Sequence, residues 1–399
     1  MMSRWWWFLV LFELSILLPL FSFTYKQPPS SKPPHFTNMS HASSPPRTAV
    51  CLVGSAGRFE LTAFSLLQNL LASLPENSDV FVNAPLDKDG YKLFFLSGHP
   101  RIAGVQISEM KHISETSVLR ELFAGDGSPE GIQGLLGYFS LLEGCLAMIR
   151  DHQRNHTISY QWVVRARLDS FWSGPLPPTA FVPDTYIAPL GLQFSGLNDR
   201  FSVSSFQVFE VAMSRLSAAS ALHAKGLRKL NSEKTLAKVL EEAKVEWDIQ
   251  ALPFCIVSER RYPWPPGRWG LAVAKMTLHD PPLSGAECRP CRSECTGECA
   301  IVVWSGLQRK WSSMEGAAGA ELCNASGGWE KGWERAFEDA VGKEMGAGRR
   351  MVEVMTVKEC QNRWRTLKNK TERWSAPPLD VICRRGLGWR YFVPIALGP

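Results

Sequence analysis

The feature that most restricts this chain is an apolar run near its amino terminus. From Trp5 to Phe23 the sequence contains nineteen residues with a single charge, Glu13. A helix of that length, rising about 1.5 Å per residue, spans the hydrocarbon core of a bilayer. The run predicts a transmembrane signal anchor at residues 5–23 behind a cytoplasmic tail at residues 1–4. A cleaved signal peptide is the alternative, and both place the rest of the chain in the secretory lumen.

Two further patterns agree with a lumenal location. The chain has ten cysteines, which can form disulfides in an oxidising compartment. It also contains four Asn-x-Ser/Thr sequons, the acceptor sites for N-glycans. The sequon asparagines are Asn38, Asn155, Asn324 and Asn369. Together with the anchor, these patterns predict a type II membrane glycoprotein.

Behind the anchor the composition changes twice. Residues 24–47 are rich in Pro and Ser, which is typical of an extended stem. Between residues 48 and 262 short apolar runs alternate with segments of helical periodicity, and this alternation predicts an α/β layered fold with a mostly parallel sheet. Residues 263–399 are predicted to form a Cys- and Trp-rich extension. The predicted strands are Thr48–Gly54, Asp79–Asn83, Tyr160–Arg167 and Tyr186–Ala188. The predicted helices are Phe59–Leu74, Gly131–Arg150, Ala212–Leu227 and Glu233–Lys244.

The first candidate site is the turn that follows the first predicted strand. Gly54 and a second glycine allow the backbone to approach a phosphate, and the helix that follows favours an anion at its amino end. Arg58 can add a bidentate contact. The alternative is a tight turn with a surface arginine. In an open α/β sheet the turn would lie where ligands bind, beyond the carboxyl ends of the strands.

The second candidate site is the end of the third predicted strand. Side chains alternate along a strand, so Arg165, Arg167 and Asp169 point to one face. Two cations and a carboxylate can bind a diphosphate, with Asp169 holding a divalent cation such as Mn²⁺ or Mg²⁺ through oxygen. A structural Arg–Asp pair is an equally good interpretation of the same residues.

A third segment contains Asn198, Asp199 and Arg200 ahead of Phe201. Asn and Asp in a loop commonly form an Asx turn, and that alternative stands beside a binding role for Asn198.

Together the three segments resemble glycosyltransferases with the nucleotide-diphospho-sugar fold known as GT-A, over about residues 48–260. The chain also resembles an uncharacterised plant family of type II membrane proteins. That second resemblance includes Pro263-Trp-Pro-Pro-Gly-Arg-Trp-Gly270 and the cysteine cluster that follows it. GT-A enzymes hold their metal with an Asp-x-Asp motif, and the matching segment here has only one carboxylate, Asp169.

The resemblance implies a Golgi or endoplasmic-reticulum membrane protein with a GT-A-like lumenal domain. It implies a nucleotide-sugar donor, a glycan or glycoprotein acceptor, and phosphate contacts from Arg58, Arg165 and Arg167. An inverting transfer to such an acceptor would need a carboxylate that takes up the hydroxyl proton, and the candidates for this base are Asp199 and Glu246 or Asp248. A non-catalytic lumenal protein that binds glycans or acts as a scaffold is the alternative.

Cys288, Cys291, Cys295 and Cys299 lie close together in the sequence. Four thiolates can bind zinc, but known zinc motifs separate two pairs by a longer loop. Disulfides are the favoured interpretation in an oxidising lumen, and the sequence leaves their pairing open.

The segment Cys360–Lys370 interleaves basic residues with a tryptophan, as in some DNA-binding helices. The formal net charge of +6 is small, however, and the segment includes the Asn369 sequon. A solvated basic helix face is therefore favoured, and no nucleic-acid partner is expected.

Overall fold

The computed structural model describes residues 46–124, 131–191, 193–278, 283–307 and 319–388. The predicted tail, anchor and Asn38, with nearly all of the stem, lie outside the described residues. Within them, the strands are β1 (Thr48–Val53), β2 (Asp79–Pro85), β3 (Ile102–Ser108), β4 (Trp162–Arg167), β5 (Ser170–Trp172), β6 (Thr185–Pro189), β7 (Phe201–Ser205), β8 (Glu246–Gln250), β9 (Phe254–Val257), β10 (Val273–Lys275), β11 (Ala286–Arg289), β12 (Leu322–Cys323) and β13 (Thr371–Ser375). The helices are α1 (Phe59–Ser65), α2 (Ser117–Leu122), α3 (Gly131–His156), α4 (Phe206–Met213), α5 (Ala219–Ala224), α6 (Ser232–Glu242), α7 (Glu298–Gly306), α8 (Trp333–Glu353), α9 (Val357–Lys370) and α10 (Leu379–Leu387).

An eight-stranded sheet with the order β13-β3-β2-β1-β4-β7-β6-β8 forms the centre of the molecule. Its strands are parallel except β7, which pairs antiparallel with both of its neighbours. β1 is buried along its whole length, because helices cover both faces of the sheet. Strands in such a sheet are apolar on both sides, and this explains why β1, β2 and β4 appear in the sequence as short apolar runs. The predicted α/β fold with a mostly parallel sheet is confirmed.

Two helical layers cover the large sheet. Helices α3, α4, α5 and α6 pack on the face that carries Ala49, Cys51 and Val53. The opposite face, which carries Val50 and Leu52, is covered by α1, α9, α10 and a 3₁₀ segment at Gly90–Gly98. The core of the molecule therefore consists of two apolar layers, one on each side of β1.

The helix predicted at Ala212–Leu227 is two helices in the structure. α4 ends at Met213 and α5 begins at Ala219. Ser214 leaves the helical region of backbone space, and the fully buried side chain of Arg215 donates a hydrogen bond to Asp199, ahead of β7. The apolar periodicity continues across this break, which explains why the sequence suggested one helix.

α3 is the one helix within the described residues that is long and apolar enough to cross a membrane. More than half of its most apolar stretch is buried inside the protein. It packs on β1 and β2 through residues such as Leu142 and Leu146. α3 is therefore the central core helix of this layer.

A second sheet, with the order β12-β10-β11-β9-β5, lies beside the first. Helices α7 and α8 pack against it, and their core residues include Trp304 and Phe337. Most of this sheet comes from the Cys- and Trp-rich residues after 262. The same C-terminal part also supplies β13 at the edge of the large sheet.

All ten cysteines form disulfides. The prediction that the clustered cysteines form disulfides is confirmed, although only Cys295 and Cys299 pair with each other. The four-thiolate zinc alternative is wrong because every sulfur already has a covalent partner. Disulfide-rich folds are typical of secreted and lumenal proteins. The pairs are Cys51–Cys145, Cys255–Cys288, Cys291–Cys323, Cys295–Cys299 and Cys360–Cys383.

The basic segment near the C-terminus forms α9. Its apolar residues Cys360, Trp364 and Leu367 are buried, and its basic residues lie on the outer side. The Trp364 indole N–H donates a hydrogen bond of 2.8 Å to the carbonyl of Tyr91 in the 3₁₀ segment. The prediction of a solvated basic helix face agrees with this arrangement.

Candidate functional site

The strand order of the large sheet reverses next to β1. From β1 the chain moves outward to β2 and β3, and later returns to the other side of β1 as β4. α/β sheets bind ligands at such a reversal, beyond the carboxyl ends of the two strands. Val53 and Arg167 are paired at those ends, and the Leu168 N–H donates to the Val53 carbonyl at 3.3 Å. The residues that follow β1 and β4 therefore lie side by side at this crevice.

Gly54 occupies the end of β1 with a backbone φ of +111°. A side chain is strained in this conformation, which explains the glycine. A Cβ atom at this position would have no neighbouring atom within 4 Å, so the space above the strand end is open. Gly54 is partly exposed, and its role in ligand binding stays a prediction.

A buried lysine that sequence reasoning missed supports the turn after Gly54. The Lys92 ammonium donates to the Gly57 carbonyl at 2.8 Å and pairs with Glu60 and Asp89, each at 2.8 Å. Burial lowers the pKa of Lys92, but the two carboxylates more than offset that effect and raise it. Lys92 therefore remains charged and holds the turn in place through its hydrogen bond to the Gly57 carbonyl. Its only signal in the sequence is a single cation in the apolar segment Gly90–Gly98.

Arg58 does not lie over the crevice. Its guanidinium pairs with Glu259 and stacks on two indole rings, 4.2 Å from the Trp329 centroid and 5.5 Å from that of Trp333. Cation–π contacts of this kind stabilise a partly desolvated arginine. Arg58 thus joins the turn to the C-terminal residues, whereas the sequence suggested that it would contact a phosphate.

Arg167 and Asp169 form a bidentate ion pair. The Nε and Nη2 atoms of Arg167 donate to the two oxygens of Asp169 at 2.8 and 2.6 Å. The side chains are 36% and 21% exposed, so solvent reaches the pair. This is the structural pair that the sequence offered as the alternative, and it lies at the crevice.

The donor set at Asp169 does not fit a resident Mn²⁺ or Mg²⁺ ion. Both carboxylate oxygens accept hydrogen bonds from Arg167, and these cations require several oxygen ligands. A cation would also lie beside the guanidinium charge. We derive no step through a metal at this position.

Arg165 lies beneath the crevice rather than in it. Its side chain is fully buried. It donates to the hydroxyl of Tyr138 on α3 at 2.9 Å and to the backbone carbonyl of Asp199. A ligand above the strand ends cannot reach this guanidinium, so the predicted phosphate contact is replaced by a structural one.

The Asp199 carboxylate also belongs to a buried network of hydrogen bonds. One carboxylate oxygen accepts hydrogen bonds from Arg215, at 2.8 Å, and from the Ser232 hydroxyl. Burial raises the pKa of Asp199, but the charges of Arg215 and Arg165 lower it by more. The pKa of Asp199 therefore lies below its ordinary value. A general base works best with a pKa near the operating pH. This environment is poorly suited to the predicted role of Asp199 as a base.

Glu233 is a second buried carboxyl in the same region, and sequence reasoning did not single it out. Its side chain accepts a hydrogen bond from the Phe194 backbone N–H. Burial, followed by the nearby charge of Asp199, raises the pKa of Glu233 to about 8. Glu233 therefore holds a proton at neutral pH beside an ionised aspartate.

Asn198 adopts the Asx-turn alternative. Its amide donates to the carbonyls of Gly191, at 2.9 Å, and Ser284, at 3.3 Å, and its oxygen accepts from the Arg200 N–H at 3.1 Å. The Arg200 side chain continues to Glu287 at 2.9 Å. Asn198 and Arg200 therefore join the two sheets, and neither side chain is available to a ligand.

The remaining base candidates, Glu246 and Asp248, lie on β8 at the far edge of the large sheet. Four strand spacings separate β8 from β1, which is about 19 Å. Asp248 accepts a hydrogen bond of 3.1 Å from its neighbour Gln250. Distance excludes both carboxylates from chemistry at Gly54.

Two cavities lie away from the crevice. One, of about 420 Å³, is bounded by α4, α5 and α6 and is mainly apolar. The other, of about 660 Å³, lies beside the second sheet and has Lys275, Arg292 and Arg335 on its wall. Neither cavity is lined by a residue that the sequence predicted for the site.

Three sequon asparagines fall within the described residues. Asn155 lies at the end of α3, Asn324 follows β12, and Asn369 lies in the last turn of α9. All three are exposed. Each can therefore accept a glycan without a change of the core.

Comparison with known proteins gives one family. Residues 43–389 match the sequence model of a family described as a domain of unknown function, DUF7796. No curated protein matches the chain.

Proposed function

The chain belongs to the DUF7796 family, and from the geometry of its large sheet we propose that it is a GT-A-like glycosyltransferase of the secretory lumen. In this proposal it binds a nucleotide-diphospho-sugar and transfers the sugar to a hydroxyl of a glycan or glycoprotein. The observation that carries the proposal is the position of Gly54 beside the Arg167–Asp169 pair, where the strand order reverses.

This crevice suits a diphosphate for two physical reasons. The open space at Gly54 lets the phosphate approach the backbone closely. Arg167 already makes a planar, two-bond contact with a carboxylate, and a phosphate presents oxygens with the same spacing. The donor would replace Asp169 as the partner of Arg167, and Asp169 would then face the ligand as a free carboxylate.

The proposed location rests on separate features. Five disulfides indicate an oxidising compartment. The apolar residues 5–23 and the Pro-rich residues 24–47 give the order anchor, stem and domain that Golgi glycosyltransferases share. A Golgi or endoplasmic-reticulum type II topology therefore forms part of the proposal.

The test is nucleotide-sugar binding by the full chain in detergent, measured by equilibrium dialysis with and without Mn²⁺. The Arg167→Met variant should bind at least about ten times more weakly, because a charge-assisted contact contributes about 1.5–3 kcal/mol. Arg150→Met is the matched control, since Arg150 pairs with Glu210 away from the crevice. Equal binding by wild type and Arg167→Met would refute the proposed site.

One observation favours a second function, a non-catalytic glycan-binding or scaffold protein. Asp199, the candidate base, is paired with Arg215 in a buried network. Transfer and donor hydrolysis assays on the same preparations distinguish the two functions. Binding that depends on Arg167, without turnover toward glycan or glycoprotein acceptors, would identify the non-catalytic form.

A further inference from the structure

A cluster of two histidines and a glutamate lies at the edge of the large sheet opposite the crevice. His152 and His156 are one turn apart at the end of α3, and Glu372 comes from β13. α3 ends near the amino end of β2, where Tyr160 contacts Asp79. The cluster therefore lies at the amino ends of the parallel strands, outside the proposed donor site.

The ligand atoms of the cluster converge. The His152 Nε2 atom lies 3.2 Å from one oxygen of Glu372, and the His156 Nε2 atom contacts the other oxygen. The three potential ligand atoms all lie within 4.8 Å of one another. Histidines four residues apart on a helix project from the same face, so α3 presents both imidazoles to β13 without distortion.

The surroundings of His152 fix which ring nitrogen faces Glu372 as an acceptor. The Tyr160 hydroxyl donates to Asp79 at 2.8 Å, so the His152 Nδ1 atom, 2.8 Å from the same hydroxyl, must donate to it. In a neutral imidazole the Nε2 atom then carries a lone pair. That lone pair points at a carboxylate oxygen, and two acceptors at 3.2 Å repel unless a cation or a further proton lies between them.

One metal ion can satisfy all three ligand atoms of the cluster at once. The ring centroids of His152 and His156 lie 4.3 Å apart, so both imidazoles can face the same ion. One divalent cation would use both nitrogen lone pairs and the carboxylate. Hydrogen bonds from the outer nitrogen of a ligating histidine to a further polar group are a regular feature of such sites, and Tyr160 with Asp79 provides one.

We propose that His152, His156 and Glu372 bind a zinc ion, with water as the fourth ligand. Two imidazoles and a carboxylate are a ligand set that Zn²⁺ prefers, whereas Ca²⁺ and Mg²⁺ select oxygen ligands. The nearby guanidiniums of Arg154 and Arg373 are both paired with Asp151, at 2.5 and 2.6 Å, and so are partly neutralised.

The proposed ion has a structural role. It joins α3 to β13, the edge strand that the C-terminal residues add to the sheet, across more than two hundred residues of sequence. Its position at the amino ends of the strands separates it from the donor crevice. The zinc proposal can therefore be tested independently of the proposed function.

Zinc binding by the full chain tests the proposal. The protein is stripped with a chelator, treated to remove N-glycans because His156 lies within the Asn155 sequon, and titrated with Zn²⁺ against a chromogenic chelator. We expect one ion per chain and a higher unfolding temperature. We also expect Zn²⁺ to slow amide hydrogen exchange in β13. Mg²⁺ and Ca²⁺ should produce neither effect.

Two variants make the test specific. His156→Ala should fold, since that side chain is 43% exposed, and should lose at least tenfold in zinc affinity together with the protection of β13. His223→Ala is the matched control, because His223 contacts Glu121 at 2.9 Å without a second histidine in the contact. Equal zinc binding by wild type and His156→Ala would overturn the proposal, as would a wild-type chain that binds no zinc.

Discussion

Replacing the buried carboxyl of Glu233 should change how the stability of this protein depends on pH. Glu233 is 6% exposed and lies in the first turn of α6, close to the ionised Asp199. Burial and that charge raise its pKa from 4.5 to about 8. The folded chain therefore keeps a proton that the unfolded chain releases at neutral pH.

The sign and size of the effect follow from proton linkage. Below pH 4.5 both states are protonated, so the contribution of Glu233 to stability is fully present. Between pH 4.5 and about 8 only the folded state holds the proton, and the free energy of unfolding falls by about 1.4 kcal/mol per pH unit. Over the whole window the loss is about 5 kcal/mol, a large part of the stability of an ordinary domain.

The Glu233→Gln variant should remove this loss, because glutamine keeps the acceptor for the Phe194 N–H and never ionises. Urea unfolding followed by tryptophan fluorescence, at four pH values from 5.5 to 8.5, measures the free energies. The stability of the variant relative to wild type should increase with pH. Glu241→Gln on the same helix is the control, since Glu241 is solvent-exposed and pairs with Lys238. A constant difference between wild type and Glu233→Gln would refute the reasoning.

Three further changes have defined outcomes. Trp364→Ala should cost about 3–5 kcal/mol in urea unfolding, because a fully buried indole and its hydrogen bond are lost; a cost below about 1 kcal/mol would contradict the packing described. Gly54→Val should cost about 1–3 kcal/mol for its positive φ, and calorimetry should show no nucleotide-sugar binding, since the side chain fills the open space. Replacing Cys51 and Cys145 together by alanine should lower stability by about 2–5 kcal/mol in the same unfolding assay. Unchanged stability would mean that this bond does not constrain the unfolded chain.

The four predicted strands correspond to β1, β2, β4 and β6, whereas β3, β7, β8 and β13 of the same sheet were not predicted. β1 is buried on both faces, so its sequence is a nearly continuous apolar run, and β4 is apolar as far as Arg165. β3 was missed because Gly104 and Gln106 interrupt its apolar run, and a Cβ atom at Gly104 would make a tight contact of 3.3 Å with the Phe81 ring. β13 contains Glu372 and Arg373 and is largely exposed, so nothing in its composition indicates a strand.

The candidate site could also be predicted only in part from the sequence. The alternation of side chains along a strand predicted that Arg165 and Arg167 lie on the same face at the end of β4. It could not show that Tyr138 covers the Arg165 guanidinium while the Arg167 guanidinium stays at the surface. Arg58 was misjudged because its partners, Trp329 and Trp333, are about 270 residues away in the sequence. Contacts between residues this far apart depend on the tertiary fold, and no local pattern encodes them.

The position of β13 also has a consequence for the order in which the protein is made. β3 ends at Ser108, and its outer partner begins more than 260 residues later, at Thr371. At a synthesis rate of about 5–20 residues per second, β3 waits about 10–50 s before that partner exists. During this interval the backbone donors and acceptors on its outer side are open to pairing with another chain. The sheet therefore has an unprotected edge during synthesis, and this exposure ends when the last strand joins the sheet.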